Sequence, residues 1–290
     1  IFNLLIFNLH AQQPTQEWVA RYQRPPNSGG IGNFMALDKI GNVYVLGRIY
    51  STATLADMVL IKYNSAGDTV WTRIYNHTSN NDDEPHGLAV DSTGNAYVTG
   101  QTGPNSGAGD IITLKYGPTG ALLWAKIYAA TPTSNEGANG IALDKLGNNI
   151  YVAGTISTLG ASVTIRYNTS GDSIWVRMKT QPGFQYFGIR LAINSMGDVF
   201  TGGTRFNIST NEGDIMVIKY DSLGTEHWTS VYVNSGFDSD RGVVTDNLGN
   251  VYICGVINAG ANSNYVTVKY NSVGLQQWAR IYNGTNNSID

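Results

Sequence analysis

Short runs of apolar residues, separated by turn-forming residues, follow one another along nearly the whole chain. One unit shows the pattern well, with runs at residues 87–90, 96–99, 111–116 and 122–128. Runs of this length are typical of β-strands, and no comparable stretch has a helical period. Residues 91–95 and 117–120 contain Asp, Pro or Gly, which favour tight turns. The pattern predicts four antiparallel strands in this unit.

The same unit recurs with a period of about 50 residues, marked by three landmarks. A block of the form Asp-x-x-Gly-Asn-x-Tyr-Val, followed by Gly, is clearest at residues 38–47 and 91–100. A Lys-Tyr or Arg-Tyr pair follows in each repeat, and a Trp lies eight residues after the Tyr of each pair. The remaining Trp, Trp18, precedes the first full repeat. The tryptophans are Trp18, Trp71, Trp124, Trp175, Trp228 and Trp278. Because they recur so regularly, we interpret them as structural core residues.

Four-stranded units repeated at this spacing predict an all-β fold, a β-propeller of antiparallel blades. We place the five full repeats at about residues 31–76, 86–128, 138–179, 188–233 and 241–283, within a single domain spanning residues 13–290. Residues 17–22 are predicted to form an isolated outer strand.

These units resemble the SBBP family of bacterial β-propeller repeats from residue 17 to about residue 283. The resemblance rests on the Asp-x-x-Gly-Asn-x-Tyr-Val-x-Gly block, the Lys-Tyr strand and the Gly-x-x-x-Trp turn. It implies a secreted or surface protein, and it says little about function. Such propellers usually close with more than five blades. We therefore expect sequence after residue 290 to supply three strands of another blade, which residues 17–22 would complete.

The first nine residues are apolar apart from Asn3 and Asn8, and polar residues follow. The run is too short to span a bilayer, but its length suits the hydrophobic region of a secretory signal. We interpret residues 1–12 as the remnant of a signal peptide, with an N-terminal strand as the alternative. We expect the protein outside the cell or on its surface, without a transmembrane span, and a place within a longer surface protein is one option.

Charge narrows the range of partners. Charged residues make up 13% of the chain and the formal net charge is −3. A nucleic-acid partner is not expected, because such binding needs clustered Lys and Arg. The only cysteine, Cys254, has no second cysteine for an internal disulfide.

Variation among the repeats points to a binding face. The links between repeats and the loops between second and third strands differ in length and chemistry, and both emerge on one side of a propeller. Variable loops on a rigid scaffold commonly carry binding sites. The candidate ligand-binding residues are Asp82, Asp83, Glu84, His86, Phe184, Tyr186, Phe187, Phe237, Asp238 and Asp240. The aromatic residues among them either contact a ligand or pack over the mouth of the ring.

Asp82 and Asp83 are weak candidates for a metal site, because Ca²⁺ prefers oxygen ligands. The alternative is an ordinary solvated acidic turn, since no complete calcium-loop motif is present. Asp57, Asp110 and Asp214, which open third strands, are expected to accept hydrogen bonds from loop amides. No cofactor is predicted.

The favoured function is an exported, non-enzymatic module that contacts a protein or a glycan through this face. The alternative is an enzyme, either a carbohydrate-active glycosidase or lyase using loop carboxylates or a quinoprotein-like redox enzyme. A purely architectural role is the third hypothesis. No catalytic residues are assigned, because the familiar nucleophile, zinc and phosphate-loop motifs are not found.

Overall fold

The computed structural model describes residues 16–22, 29–51, 55–77, 82–103, 109–259 and 262–283. Within these residues the chain forms twenty strands and one short 3-10 turn. The strands build five four-stranded antiparallel sheets, each paired in chain order, so the predicted all-β architecture is confirmed. None of the helical structure in this part of the chain is long and apolar enough to cross a membrane.

The five sheets follow the predicted repeats but begin two to four residues earlier. The strands of the first, second and third sheets are β1 (Gly29–Leu37), β2 (Val43–Ser51), β3 (Leu55–Tyr63), β4 (Thr69–Tyr75), β5 (Asp82–Val90), β6 (Ala96–Gly103), β7 (Asp110–Tyr116), β8 (Leu122–Tyr128), β9 (Glu136–Leu143), β10 (Asn149–Ile156), β11 (Ala161–Asn168) and β12 (Ser173–Lys179). Those of the fourth and fifth sheets are β13 (Phe184–Ile193), β14 (Val199–Asn207), β15 (Glu212–Tyr220), β16 (Glu226–Tyr232), β17 (Ser239–Thr245), β18 (Val251–Ala259), β19 (Asn262–Tyr270) and β20 (Gln276–Tyr282).

The turn between the first and second strands of each sheet has a local cause in the Asp-x-x-Gly-Asn block. The Asp91 carboxylate accepts hydrogen bonds from the backbone N–H groups of Thr93 and Asn95, both at 2.9 Å. It also accepts a bond from the side-chain amide of Asn95 at 2.7 Å. Gly94 has φ +84°, which a residue with a Cβ adopts only with strain. The five residues of the block therefore contain all the hydrogen bonds cited here for the turn.

Neighbouring sheets pack face to face with their first strands innermost. These strands contact one another in the series β1, β5, β9, β13 and β17. Third strands are sandwiched, and residues 58–61 of β3 are buried on both faces, as the unbroken apolar run predicts. Closure of the ring beyond this series stays a prediction.

The tryptophans of the first four sheets bind the next sheet rather than their own. The indole Nε1–H of Trp175 donates to the carbonyl oxygen of Ser222 at 3.1 Å, and the indole lies against the turn residue Gly224. Trp71, Trp124 and Trp228 make the same contact with the following sheet. These four tryptophans therefore lie in the joints between sheets.

Residues 17–22 differ from the prediction, because the structure assigns no strand there. A strand needs a hydrogen-bonded neighbour, and no described strand pairs with this segment. Trp18 nevertheless occupies the position of a joint tryptophan, with its ring centroid 6.2 Å from that of Tyr63 and its indole against Gly67. The interpretation of residues 1–12 as a signal remnant lies outside the described residues.

Candidate functional site

Each first strand contains a β-bulge at the same place. In the second sheet, Pro85 pairs with Gly100 and Gly87 with Thr99, so His86 is the extra, unpaired residue. The equivalent extra residues are Asn33, Asn139, Ile189 and Arg241. The bulge thus recurs in all five described sheets.

The recurring glycine of the second strand makes room for this bulge. A Cβ placed on Gly100 would lie 1.9 Å from the carbonyl oxygen of Glu84 in the facing strand. Gly47, Gly154, Gly203 and Gly255 meet an equivalent carbonyl oxygen at 2.2–2.4 Å. Only glycine permits this approach, which explains why the residue recurs in every repeat.

Three of the five bulge residues, His86, Asn139 and Arg241, open into one cavity of about 550 Å³. We call it the mouth cavity. It lies at the ends of the first and second strands, on the face that carries the links and the variable loops. The described residues that line it are His86, Gln101, Asn135, Gly137, Asn139, Thr155, Ser157, Phe187, Thr204, Phe237, Ser239 and Arg241. Four sheets, from the second to the fifth, contribute to it.

His86 presents a lone-pair nitrogen in this cavity. Its Nδ1 lies 2.6 Å from the carbonyl oxygen of Ala138. Because a carbonyl oxygen only accepts, Nδ1 carries the hydrogen. Burial lowers the pKa of the imidazole, so the ring is neutral at physiological pH and Nε2 is the unprotonated acceptor.

Among the described residues that line the cavity, only Arg241 carries a formal charge. One guanidinium nitrogen donates to the carbonyl oxygen of Asp240 at 2.9 Å, which orients the group. Among the described residues no carboxylate forms an ion pair with it, whereas Arg48 pairs with Glu84 and Arg205 with Asp214. Arg241 therefore retains donors for a ligand.

Side-chain amides form the polar wall between His86 and Arg241. The Gln101 amide donates to Asn135 Oδ1 at 2.6 Å, and the Asn139 amide donates to the carbonyl oxygen of Gly188 at 3.0 Å. These bonds fix the orientation of each amide without using all its hydrogen-bonding capacity. The wall is consequently ordered before a ligand arrives.

The predicted aromatic patch divides into two groups. Phe187 and Phe237 line the mouth cavity, and the Phe237 ring lies 5.9 Å from that of Phe206. Phe184 instead lies under the Arg205 guanidinium, at 4.8 Å. Tyr186 is buried and donates its hydroxyl to Gln181 at 2.9 Å. Phe184 and Tyr186 pack in the core of the structure and do not belong to the described cavity lining.

The acidic residues Asp82, Asp83 and Glu84 lie at the start of β5 rather than in a link, and they bond to the protein itself instead of facing a ligand. Asp83 is fully buried and accepts hydrogen bonds from the His77 backbone N–H at 2.7 Å and from the Thr102 hydroxyl. Burial raises the pKa of its carboxyl group. Asp82 accepts a bond from the Ala56 N–H at 2.9 Å, and Glu84 is used by the ion pair with Arg48.

Asp238 and Asp240 are equally inaccessible, with no exposed surface. Asp238 accepts a hydrogen bond from the Asn258 N–H at 3.1 Å. Asp240 lies 3.5 Å from the Thr204 hydroxyl, and burial raises its pKa to about 6 against the opposing effect of Arg190 and Arg241. Direct ligand contact by these carboxylates would require the sheets to separate.

The described residues contain no group of three or more His, Cys, Asp or Glu side chains arranged to hold a metal ion. Asp82 and Asp83 use their oxygens on the protein itself. Of the third-strand aspartates, Asp214 forms an ion pair with Arg205 at 2.6 Å, which differs from the predicted bond to loop amides.

Of the ten predicted ligand residues, the structure brings His86, Phe187 and Phe237 together in the mouth cavity. Sequence reasoning missed Arg241, Asn139, Asn135 and Gln101. A signal for the bulge residues exists: they lie 14 residues before the recurring glycine, or 15 in the third repeat, which has an additional Asn. This spacing identifies the bulge residues only when the pairing register of the strands is known.

Comparison with known proteins agrees with this architecture. Residues 70–105 match the SBBP family, a beta-propeller repeat. The matched segment runs from β4 through β6, so it includes a joint tryptophan, the second link and the bulge at His86. The resemblance to SBBP repeats is confirmed over these residues.

One relative is an uncharacterized WD repeat-containing protein, L264, of Acanthamoeba polyphaga mimivirus, with 28% identity over 192 residues. The match covers 59% of this chain and 11% of that protein. The chain thus spans about a tenth of the length of this relative.

Several solved structures share this fold. A PL25 ulvan lyase bound to -[GlcA(1-4)Rha3S]- has a TM-score of 0.57 at 10% identity, covering 86% of this chain and 69% of the lyase. Hydrazine synthase of Kuenenia stuttgartiensis has a TM-score of 0.56 at 12% identity, covering 83% of this chain and 64% of that chain. At such identities the likeness shows the fold alone.

Proposed function

We propose that this protein is an exported, non-enzymatic propeller module that binds a glycan at the mouth cavity. The observation that carries the proposal is the composition of the cavity lining. A neutral imidazole, a guanidinium group and fixed side-chain amides share one wall with two phenyl rings. The volume of about 550 Å³ lies in the range typical of small-ligand sites.

A glycan suits this lining better than an apolar ligand does. Sugar hydroxyls both donate and accept hydrogen bonds, and the amides and the imidazole offer both kinds of partner. The C–H face of a sugar ring can pack on an aromatic ring such as Phe187 or Phe237. A protein ligand that inserts a polar side chain is the remaining possibility within this proposal.

Binding without catalysis is supported by the position of the carboxylates. Glycosidases generally need two carboxyl groups beside the scissile bond. No carboxylate belongs to the described lining of the mouth cavity, and Asp238 and Asp240 are buried behind it. Export is supported by the apolar run at the start of the sequence.

The test is a glycan array followed by calorimetric titration of each hit. We expect Phe187→Ala and Phe237→Ala to weaken binding of the hit, because both remove cavity surface. Phe184→Ala is the matched control, since this phenyl group lies outside the cavity. This variant should bind the hit as tightly as the parent protein does. Melting temperatures verify that all three variants fold.

Two outcomes would overturn the proposal. Hits that bind all three variants alike would place the ligand outside the cavity. Release of reducing ends, or the ultraviolet absorbance of an unsaturated product, would show that the site is catalytic.

A further inference from the structure

We propose that the mouth cavity selects acidic glycans, with the carboxylate of a hexuronic acid on Arg241 and a sugar hydroxyl donating to His86 Nε2. This inference rests on the proposed function and specifies its ligand. It follows from the charges and hydrogen-bonding capacities around the cavity.

The first argument is the unpaired guanidinium. Arg48 and Arg205 are held by carboxylates of the protein, but Arg241 only donates to a backbone carbonyl in the described residues. A guanidinium group binds a carboxylate through two parallel hydrogen bonds. Arg280 also donates only to the preceding backbone carbonyl in the described residues, but Arg241 does so within the cavity lining, where the carboxylate of a bound ligand can take its free donors.

The second argument is which charged groups a ligand can reach. Arg190 lies close by and donates to the Asn139 carbonyl oxygen at 2.9 Å. Arg190 and Arg241 are both exposed, whereas Asp238 and Asp240 behind the cavity are fully buried and the Arg48–Glu84 pair is internally neutral. The unpaired charged groups that a ligand meets at the cavity are therefore cations, which favours an anionic ligand.

The third argument fixes which part of the ligand meets His86. Because Nδ1 donates to Ala138, the exposed Nε2 can only accept. A carboxylate oxygen also only accepts, so it is excluded from this position. A hydroxyl of the same sugar or of its neighbour satisfies Nε2. The cavity thus combines an anion site and a donor site, as an acidic sugar requires.

The test uses oligogalacturonate, oligomannuronate and oligoglucuronate, each beside its carboxyl-reduced, neutral form. We expect the best-bound acid to bind about 10- to 100-fold more tightly than its reduced form, the range for hydrogen bonds to a charged group. Arg241→Met should reduce this ratio to about one while binding of the neutral form persists. Arg280→Met, an exposed arginine on β20, is the matched control and should keep the ratio.

His86 is tested separately. His86→Leu should weaken acid and reduced form by the same factor, because it removes an acceptor and no charge, whereas His86→Gln should recover part of the loss. A loss confined to the acid would contradict the assigned role of Nε2.

The outcomes separate the two proposals. Glycans that bind with equal affinity in acid and reduced form overturn this inference and leave the proposed function intact. Failure of every glycan to bind overturns the proposed function itself. Tighter binding of a sulfated neutral oligosaccharide than of any uronate would overturn the assignment of a carboxylate.

Discussion

The joint between a tryptophan and the turn of the next sheet makes a sharp prediction about glycine. Gly224 has φ +81°, and a Cβ added there would lie 2.8 Å from Cδ2 of Trp175. Gly183 has φ +84°, but its added Cβ would meet nothing within 4 Å. The two positions share the same backbone strain and differ in the contact with the indole.

Substitution by alanine separates these effects. The left-handed conformation costs about 1–2 kcal/mol for a residue with a Cβ. Replacing glycine also lowers the entropy of the unfolded chain, by a similar amount at both positions. At Gly224 alone, the indole must move, which adds an overpacking cost of about 1–3 kcal/mol. The displaced indole also strains its 3.1 Å hydrogen bond to Ser222.

We therefore expect Gly224→Ala to lower the free energy of unfolding by about 1–3 kcal/mol more than Gly183→Ala does. Urea denaturation followed by far-ultraviolet circular dichroism measures both. Trp175→Ala should lower the free energy of unfolding by about 3–5 kcal/mol, because it removes the whole indole. This value is the upper limit for the effect of disrupting the joint. Equal destabilisation by the two glycine substitutions would refute the claim that the indole contact couples the sheets.

Further predictions concern buried polar groups. Because burial raises the Asp240 pKa from 3.8 to about 6, the native state binds the proton more tightly than the unfolded chain, and stability falls as pH rises through this window. Asp240→Asn should match the parent near about pH 4 and exceed it by up to about 3 kcal/mol near about pH 7.5, measured by urea denaturation; a constant difference would contradict this. Tyr44→Phe should cost about 1–2 kcal/mol, because the hydroxyl donates to the Gly94 carbonyl oxygen at 3.0 Å. Tyr270→Phe should be neutral or slightly stabilising in thermal melts, since the buried Tyr270 hydroxyl has no hydrogen-bond partner among the described residues.

The fold was predictable because each landmark has a cause within a few residues of itself. Asp91 forms its turn with Thr93 and Asn95, and no distant contact is needed. The tryptophan period needs only regular spacing to be recognised. Residues 17–22 are a different case, because a strand there depends on pairing with a neighbour that the local sequence does not reveal.

The face of the site was also predictable, but its side chains were not. Asp83 and His86 lie in the same strand, three residues apart. Asp83 is fully buried, whereas His86 lines the mouth cavity. Simple alternation puts residues three positions apart on opposite faces of the sheet, but it does not reveal that His86 is unpaired, because the bulge shifts the register between Pro85 and Gly87. That shift is a property of strand pairing, which one strand's sequence does not specify.

The bulge explains how constant backbone and variable chemistry coexist in these repeats. The steric demand of the bulge falls on the second strand, where glycine alone fits against the carbonyl of the first strand. The extra residue has no partner in the strand ladder, so pairing within the sheet places little restriction on its side chain. The five sheets carry Asn33, His86, Asn139, Ile189 and Arg241 at this position. A repeat can therefore change the chemistry of the mouth cavity one residue at a time without altering the sheet that supports it.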